Sequence, residues 1–211
     1  MSQISVRTAT AVTLTVLAVF AAAVVVRADD ARVVVRIYDT GTGASAMRAA
    51  AIRTASAIVE EAGIAVDWRD CSDHGAQRPC QNRRARDVIV RIMPTFAAGT
   101  GARRDSVEAL KSLGDSELPV GFAVIDPDTH VGEMATVVHD RVQAVARRTG
   151  VESSELLGRA LAHEIGHLLL KATGHSRTGL MRAVWTDAEL TLNRREDWVF
   201  APLDRRRLQL R

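Results

Sequence analysis

The hydrophobic positions of the chain alternate between short β-branched runs and longer stretches with helical spacing. Residues 33–38, which read VVVRIY, predict a strand because β-branched side chains dominate the run. Apolar residues then recur at helical spacing from Ala44 to Ala62, Gly63 ends the pattern, and residues 64–68 alternate as a second strand. A strand, a helix and a strand of these lengths predict a crossover connection, and therefore a parallel pair of strands.

Three further strands are predicted downstream, at Val88–Met93, Gly121–Ile125 and Glu133–Val138. Residues 95–118 form a connection rich in Gly, Arg and Ser, with a short helix predicted near 107–113. The last of the three strands is followed closely by a helix from about Asp140 to Thr149.

A second long helix is predicted to begin at Ser153 or Ser154, because serine is a good N-cap residue. Gly174 is predicted to end it, since glycine readily adopts a left-handed conformation. The apolar residues at helical spacing, which predict a buried stripe, are Leu157, Leu161, Ile165, Leu168 and Leu169. Together these elements predict an α+β fold, with a mixed sheet of about five strands packed on two long helices.

The second long helix contains the pattern H-E-x-x-H. His163 and His167 are four residues apart, so one face of the helix offers both imidazoles to one metal ion. Glu164 points beside that ion, where a carboxylate can take a proton from water. A turn at Gly174 can bring His175 back towards the pair. Three imidazoles leave one position of a tetrahedral Zn²⁺ open, as in catalytic sites, so the predicted cofactor is one zinc ion.

The stretch from residue 163 to 181, HEIGHLLLKATGHSRTGLM, resembles the zinc site of metzincin-type metalloproteases. In that family a helix with two His and a Glu leads through a glycine turn to a third His and a methionine turn. The resemblance implies a zincin-like fold with a Met-turn. The residues that match its three metal ligands are His163, His167 and His175. Glu164 matches its general base, and Met181 matches its turn methionine.

The stretch departs from the metzincin pattern H-E-x-x-H-x-x-G-x-x-H. Leu170 and Thr173 stand where that pattern has its Gly and its third His, and His175 comes two residues later. The stretch is more similar to secreted bacterial proteins that combine HEIGHLLL with a delayed His and Gly-Leu-Met. Gluzincin-type enzymes instead take their third ligand from a later acidic residue, which makes Asp187 and Glu189 the alternatives to His175.

The metzincin resemblance also implies an activity. It implies a zinc-dependent endopeptidase acting on peptide or protein substrates, with Glu164 as the general base. The strand Glu133–His139 is then the edge strand that pairs with an extended substrate, unless it is an ordinary strand of the sheet. The alternative function is a zinc-containing peptide-binding protein or an inactive relative of the proteases.

The first 28 residues are predicted to be a signal peptide. Arg7 leads into an uncharged apolar run from Ala9 to Val26, and small residues precede a cleavage point before Asp29. The run is also long enough to be an uncleaved membrane anchor. Either way residues 29–211 form one exported domain, secreted or periplasmic in the first case and membrane-anchored in the second.

The charge and the cysteine content limit which partners and which cellular compartment are expected. Residues 29–211 carry 26 Lys and Arg against 25 Asp and Glu, so no excess of positive charge favours nucleic acid as a partner. Cys71 and Cys80 are the only cysteines of the chain, and in an exported protein they predict a disulfide. A metal site with the intervening His74 is disfavoured, because too few other ligands are near.

The chain after the metal-binding pattern is predicted to form one last helix, from about Asp187 to Asp197. Trp198 and Phe200 are predicted to pack that helix against the core. The final residues, DRRRLQLR, are predicted to be a solvated basic tail.

Overall fold

The computed structural model describes residues 32–41, 45–72, 80, 87–95, 119–126, 128–129 and 131–210. The predicted signal peptide or anchor at 1–28, the short helix predicted near 107–113, and His74 lie outside these residues. No helix within the described ranges is long and apolar enough to cross a membrane.

The described strands form one mixed sheet of five, as predicted. They are β1 (Arg32–Asp39), β2 (Ala65–Asp70), β3 (Val88–Met93), β4 (Gly121–Ile125) and β5 (Gly132–Val138). Their order across the sheet is β2-β1-β3-β5-β4. The predicted parallel pairing of β1 with β2 is confirmed, β3 runs parallel to both β1 and β5, and β4 alone is antiparallel. The sheet therefore ends at β4 on one side and at β2 on the other.

The helices of the described residues follow the predicted order but not all the predicted ends. They are α1 (Ser45–Glu61), α2 (His139–Thr149), α3 (Ser153–Leu170), α4 (Asp187–Leu192), a 3-10 helix (Arg195–Trp198) and α5 (Pro202–Gln209). The two long helices, α1 and α3, pack against each other, and α3 also contacts strands β3, β4 and β5. The α+β class is confirmed.

The helix α3 is buried on every side rather than along one stripe. All of its residues from Leu156 to Leu168 are buried. Its contact with α1 is close at Gly158, where a Cβ atom would lie 2.5 Å from Cβ of Thr54 and 2.7 Å from the carbonyl oxygen of Ala51. A side chain at that position would push the two helices apart, so glycine is required for their approach. The predicted metal-binding helix is thus the central element of the fold.

The helix α3 begins at Ser153, as predicted, but serine is not its N-cap, and the predicted C-terminal end is wrong. The N-cap is Glu152, whose carboxylate accepts a hydrogen bond from the backbone N–H of Glu155, and the two serines lie inside the first turn. At the other end Lys171, not Gly174, adopts the left-handed conformation, with φ of 52°. Its backbone N–H donates to the carbonyl of His167, so the helix closes three residues before the glycine that was expected to end it.

The single helix predicted from Asp187 to Asp197 is also wrong. α4 ends after six residues, because Asn193 adopts a left-handed conformation with φ of 48° and its N–H donates to the carbonyl of Glu189. The supposed basic tail forms α5, which has Pro202 in its first turn and buries Leu208 in the core. The predicted burial of Trp198 and Phe200 is confirmed.

The predicted disulfide between Cys71 and Cys80 is present. It ties the residue after β2 to the segment that leads towards β3. Next to β3, Asp87 makes a buried ion pair with Arg36 of β1, in which Nε and Nη2 of the arginine lie 2.9 and 2.6 Å from one carboxylate oxygen. Both side chains are almost fully buried, so the middle of the sheet contains a charge pair shielded from water.

Candidate metal centre

The three predicted histidine ligands lie together. The Nε2 atoms of His163 and His167 are 3.1 Å apart. With His175 they form a group in which one nitrogen of each ring lies within 4.8 Å of the others. His163 and His167 are buried in α3, whereas His175 is exposed on the loop that follows the helix. Three imidazoles therefore converge at the surface end of a buried helix face.

Backbone carbonyls fix the tautomers of the two buried histidines. Nδ1 of His163 lies 2.8 Å from the carbonyl oxygen of Leu180, and Nδ1 of His167 lies 2.7 Å from that of Ala172. A carbonyl oxygen only accepts hydrogen bonds, so each Nδ1 must carry the proton and donate it. Each Nε2 is then left with its lone pair directed towards the other ring.

This arrangement of nitrogens fits a zinc ion. Two neutral Nε2 atoms at 3.1 Å face each other with lone pairs, which repel unless a cation lies between them. Zinc–nitrogen distances of about 2.0–2.1 Å in tetrahedral geometry place two ligand nitrogens about 3.3 Å apart, close to the observed spacing. Carbonyl bonds to the outer nitrogens are also the usual way in which metal-binding histidines are oriented.

Burial keeps the three imidazoles in the neutral form that binds metals. It lowers the pKa of His163 to about 3, with a smaller contribution from the neighbouring histidines. Burial also lowers the pKa of His167 and the pKa of His175 below the ordinary value. Near neutral pH no proton has to be removed before a cation can bind.

Glu164 has a buried carboxyl group that the surrounding residues do not fully satisfy with hydrogen bonds. The residue is 4% exposed, and its Oε2 has no hydrogen-bond partner among the described residues. Its other oxygen faces the edge strand, where a Cβ atom on Gly121 would lie 2.8 Å from Oε1. Burial raises the pKa of Glu164 to about 8. A buried oxygen without a partner points to water, substrate or a cation as its missing neighbour.

This carboxyl group gives the metal-free protein a testable pH dependence. The pKa of Glu164 rises from 4.5 to about 8 on folding, so the folded protein holds a proton that the unfolded chain releases above pH 4.5. Its contribution to stability is therefore full below pH 4.5 and is lost as pH rises towards 8. Glu164→Gln removes this loss. We expect the variant to gain stability over the wild type from pH 5 to 8, by up to about 1.4 kcal/mol per pH unit.

The measurement is urea unfolding of both proteins in the presence of a chelator at pH 5, 6, 7 and 8. Comparing the pair cancels the contribution of His163, which is common to both proteins. Stability curves that stay parallel across this range would contradict the raised pKa of the carboxyl group.

The turn at Leu180 and Met181 contacts the helix that carries His163 and His167. The Leu180 carbonyl accepts a hydrogen bond from Nδ1 of His163 and another, 3.2 Å long, from the indole of Trp185. Met181 is buried against α3, where a Cβ atom on Gly166 would lie 2.6 Å from its sulfur. Position 166 of this chain must therefore be glycine for Met181 to pack against the helix.

The acidic residues considered as alternative third ligands are engaged elsewhere. Asp187 accepts two hydrogen bonds, of 2.8 and 2.9 Å, from the guanidinium group of Arg148. Glu189 completes a capping box with Thr186 at the start of α4 and lies 2.8 Å from Nη1 of Arg182. Of the three alternatives, only His175 belongs to the cluster of possible metal ligands.

The substrate strand predicted at Glu133–His139 is not an edge strand. β5, which covers most of this segment, lies between β3 and β4, so both of its edges are already paired. His139 is the first residue of α2 and its ring Nε2 lies 3.2 Å from the side-chain nitrogen of Gln143. The edge strand beside the candidate centre is β4.

Comparison with known proteins leaves the family open. No protein-family model matches the chain, and no curated protein matches it. Three chains of solved structures match, one of which is the crystal structure of archaemetzincin from Methanopyrus kandleri. The two chains are 14% identical, the match covers 85% of this chain and 93% of the archaemetzincin chain, and the TM-score is 0.46.

Proposed function

We propose that the protein is a zinc-dependent endopeptidase with His163, His167 and His175 as metal ligands and Glu164 as general base. One observation carries the proposal. Two imidazoles, fixed by carbonyls, present unprotonated nitrogens 3.1 Å apart with a third imidazole beside them. The residue after the first histidine is a buried carboxyl group with an unpartnered oxygen.

The chain's own residues have distinct tasks in this proposal. A zinc ion held by the three histidines would supply Lewis-acid chemistry, which acidifies water and polarises a carbonyl group. Glu164 takes a proton from the attacking water as the new carbon–oxygen bond forms. It then donates that proton to the amine nitrogen as the carbon–nitrogen bond breaks. Burial of Glu164 keeps bulk water from competing for this proton.

The edge strand β4 is the proposed binding surface for an extended peptide. Within the part of the chain that the structure describes, β4 pairs only with β5, so its outer edge offers backbone N–H and C=O groups. Gly121, at the start of β4, lies against the Glu164 carboxyl group. A peptide added along this edge would bring its backbone close to the general base without a side chain between them.

We place the activity outside the cytoplasm. The apolar run at 9–26 supports export, either as a cleaved signal peptide or as an anchor. The Cys71–Cys80 disulfide supports the same location, because disulfides persist mainly in oxidising compartments.

Digestion of a mixed peptide library tests the proposed function. Zinc-loaded protein is expected to generate new peptide termini, detected by mass spectrometry, and the same preparation treated with a chelator is expected to generate none. A protein that binds zinc and retains peptides without cutting them would support the alternative, a zinc-containing peptide-binding protein. A protein that binds neither would contradict both.

The metal content of two variants tests the ligand set. We expect His175→Ala to weaken zinc binding by at least about 100-fold, since even residues that only orient ligands contribute 10–100-fold. Glu189→Gln is expected to bind zinc like the wild type, because its carboxylate caps α4. Both affinities are measured by competition with a chromophoric chelator. The reverse result would assign the third ligand to the acidic residue.

A further inference from the structure

The third imidazole of the cluster is held differently from the other two. His163 and His167 each donate a hydrogen bond to a backbone carbonyl. His175 is exposed, and within the described residues its ring nitrogens have no hydrogen-bond partner. Its ring centroid nevertheless lies 4.8 Å from that of His167 and 5.5 Å from that of His163. Besides these ring contacts, its position depends on the backbone that carries it.

That backbone is fixed at the next residue. The amide of Ser176 donates a 2.8 Å hydrogen bond to the carbonyl of Met181, which ties the loop after α3 to the turn at Leu180 and Met181. The hydroxyl of Ser176 donates a 2.6 Å hydrogen bond to Oδ2 of Asp204. The main chain and the side chain of one residue thus attach the loop at two points.

The carboxyl group of Asp204, which accepts this hydrogen bond, is buried. It is 2% exposed, and among the described residues Ser176 is its only side-chain hydrogen-bond partner. It lies in the first turn of α5, where the helix dipole favours a negative charge. α5 is itself anchored, because Leu208 packs in the core and the side chain of Gln209 donates to the carbonyl of Ala62 at the end of α1.

We propose that Asp204, acting through Ser176, is a positioning residue that holds His175 in place to bind the metal. The inference rests on the proposed zinc site and extends it to α5, the segment that the sequence indicated as a solvated tail. The Ser176 hydroxyl has a fixed partner only because α5 folds back onto the core. Without that bond Ser176 keeps only its backbone hydrogen bond to Met181, and His175 samples positions away from the cluster.

Zinc affinity of the full chain, measured by chelator competition, tests this role. Ser176→Ala and Asp204→Ala are each expected to weaken zinc binding by about 10–100-fold, the range measured for residues that orient metal ligands. Asp204→Asn is expected to stay near the wild type, since its remaining oxygen still accepts from the hydroxyl. The matched control is Asp140→Ala, which removes an exposed carboxylate from the first turn of α2 and should leave zinc affinity unchanged.

A second readout separates positioning of His175 from a general structural effect. In a His175→Ala background, Ser176→Ala should cause no further loss of zinc affinity, because the ligand that it orients is already gone. The visible absorption of the cobalt-substituted Ser176→Ala protein should also shift towards that of His175→Ala.

Equal losses of affinity in both backgrounds, or wild-type affinity in Ser176→Ala, would overturn the positioning role. If His175→Ala itself binds zinc normally, the proposed ligand set has failed instead. If Asp204→Ala does not fold, the serine variant still decides, because its hydroxyl lies in a half-buried loop.

Discussion

Replacing Glu164 with glutamine is expected to lower the rate constant for peptide cleavage by about 10²–10⁴-fold, the usual contribution of a general base. The amide has nearly the shape of the carboxyl group but cannot take a proton from water. Zinc should remain bound, because the three imidazoles and their carbonyl partners are unchanged. The measurement combines single-turnover cleavage of a library-derived peptide with the zinc content of the same sample.

Two comparisons make this result specific. Glu60→Gln, which changes an exposed carboxylate of α1, should leave cleavage unchanged. A Glu164→Gln protein that retains zinc and cleaves at the wild-type rate would exclude Glu164 as the base. If the variant loses its zinc instead, the carboxyl group takes part in holding the metal.

Asp87→Asn is expected to lower the free energy of unfolding by about 3–5 kcal/mol, because it removes a carboxylate that is ion-paired with a buried guanidinium. The Arg36 and Asp87 side chains are only 4% and 3% exposed, so water cannot compensate for the lost partner. The pair also joins β1 to the residue before β3 at the middle of the sheet. Urea unfolding at pH 7 measures the loss.

A second ion pair of the same type provides the control. Arg69 and Asp67, both in β2, are 2.7 Å apart but 40% and 34% exposed. Asp67→Asn should therefore cost less than about 1 kcal/mol. Equal losses in the two variants would mean that burial does not set the strength of the central pair.

The parts of the site that lie within one helix could be predicted from the sequence. Spacing alone fixes how His163, Glu164 and His167 project from α3, because helix geometry is local and regular. The position of His175 depends on a loop, and the standard metzincin pattern has its third histidine two residues earlier, at Thr173 in this chain. The loop that carries it is bonded through Ser176 to Met181 and to Asp204 of α5, contacts that no local pattern specifies.

The edge strand beside the site could not be predicted from the sequence, and the reason is physical. β4 and β5 are adjacent in sequence and similar in length, and either could lie at the edge of the sheet. The choice depends on which of them pairs with β3, a contact between residues about 45 positions apart in the observed register. The predicted cap residues of α3 differ from the observed ones for another reason. Glu152 and Lys171 cap the helix, although serine and glycine are the stronger local signals.

The contact between Trp185 and the first histidine gives the protein an optical reporter. The indole lies edge-on to His163, with ring centroids 5.5 Å apart, and both rings donate to the Leu180 carbonyl. A cation bound by the cluster would change the electric field at this indole, and therefore the wavelength and the intensity of its fluorescence emission. Loading of the centre can thus be followed by fluorescence in unlabelled protein, before any substrate has been identified.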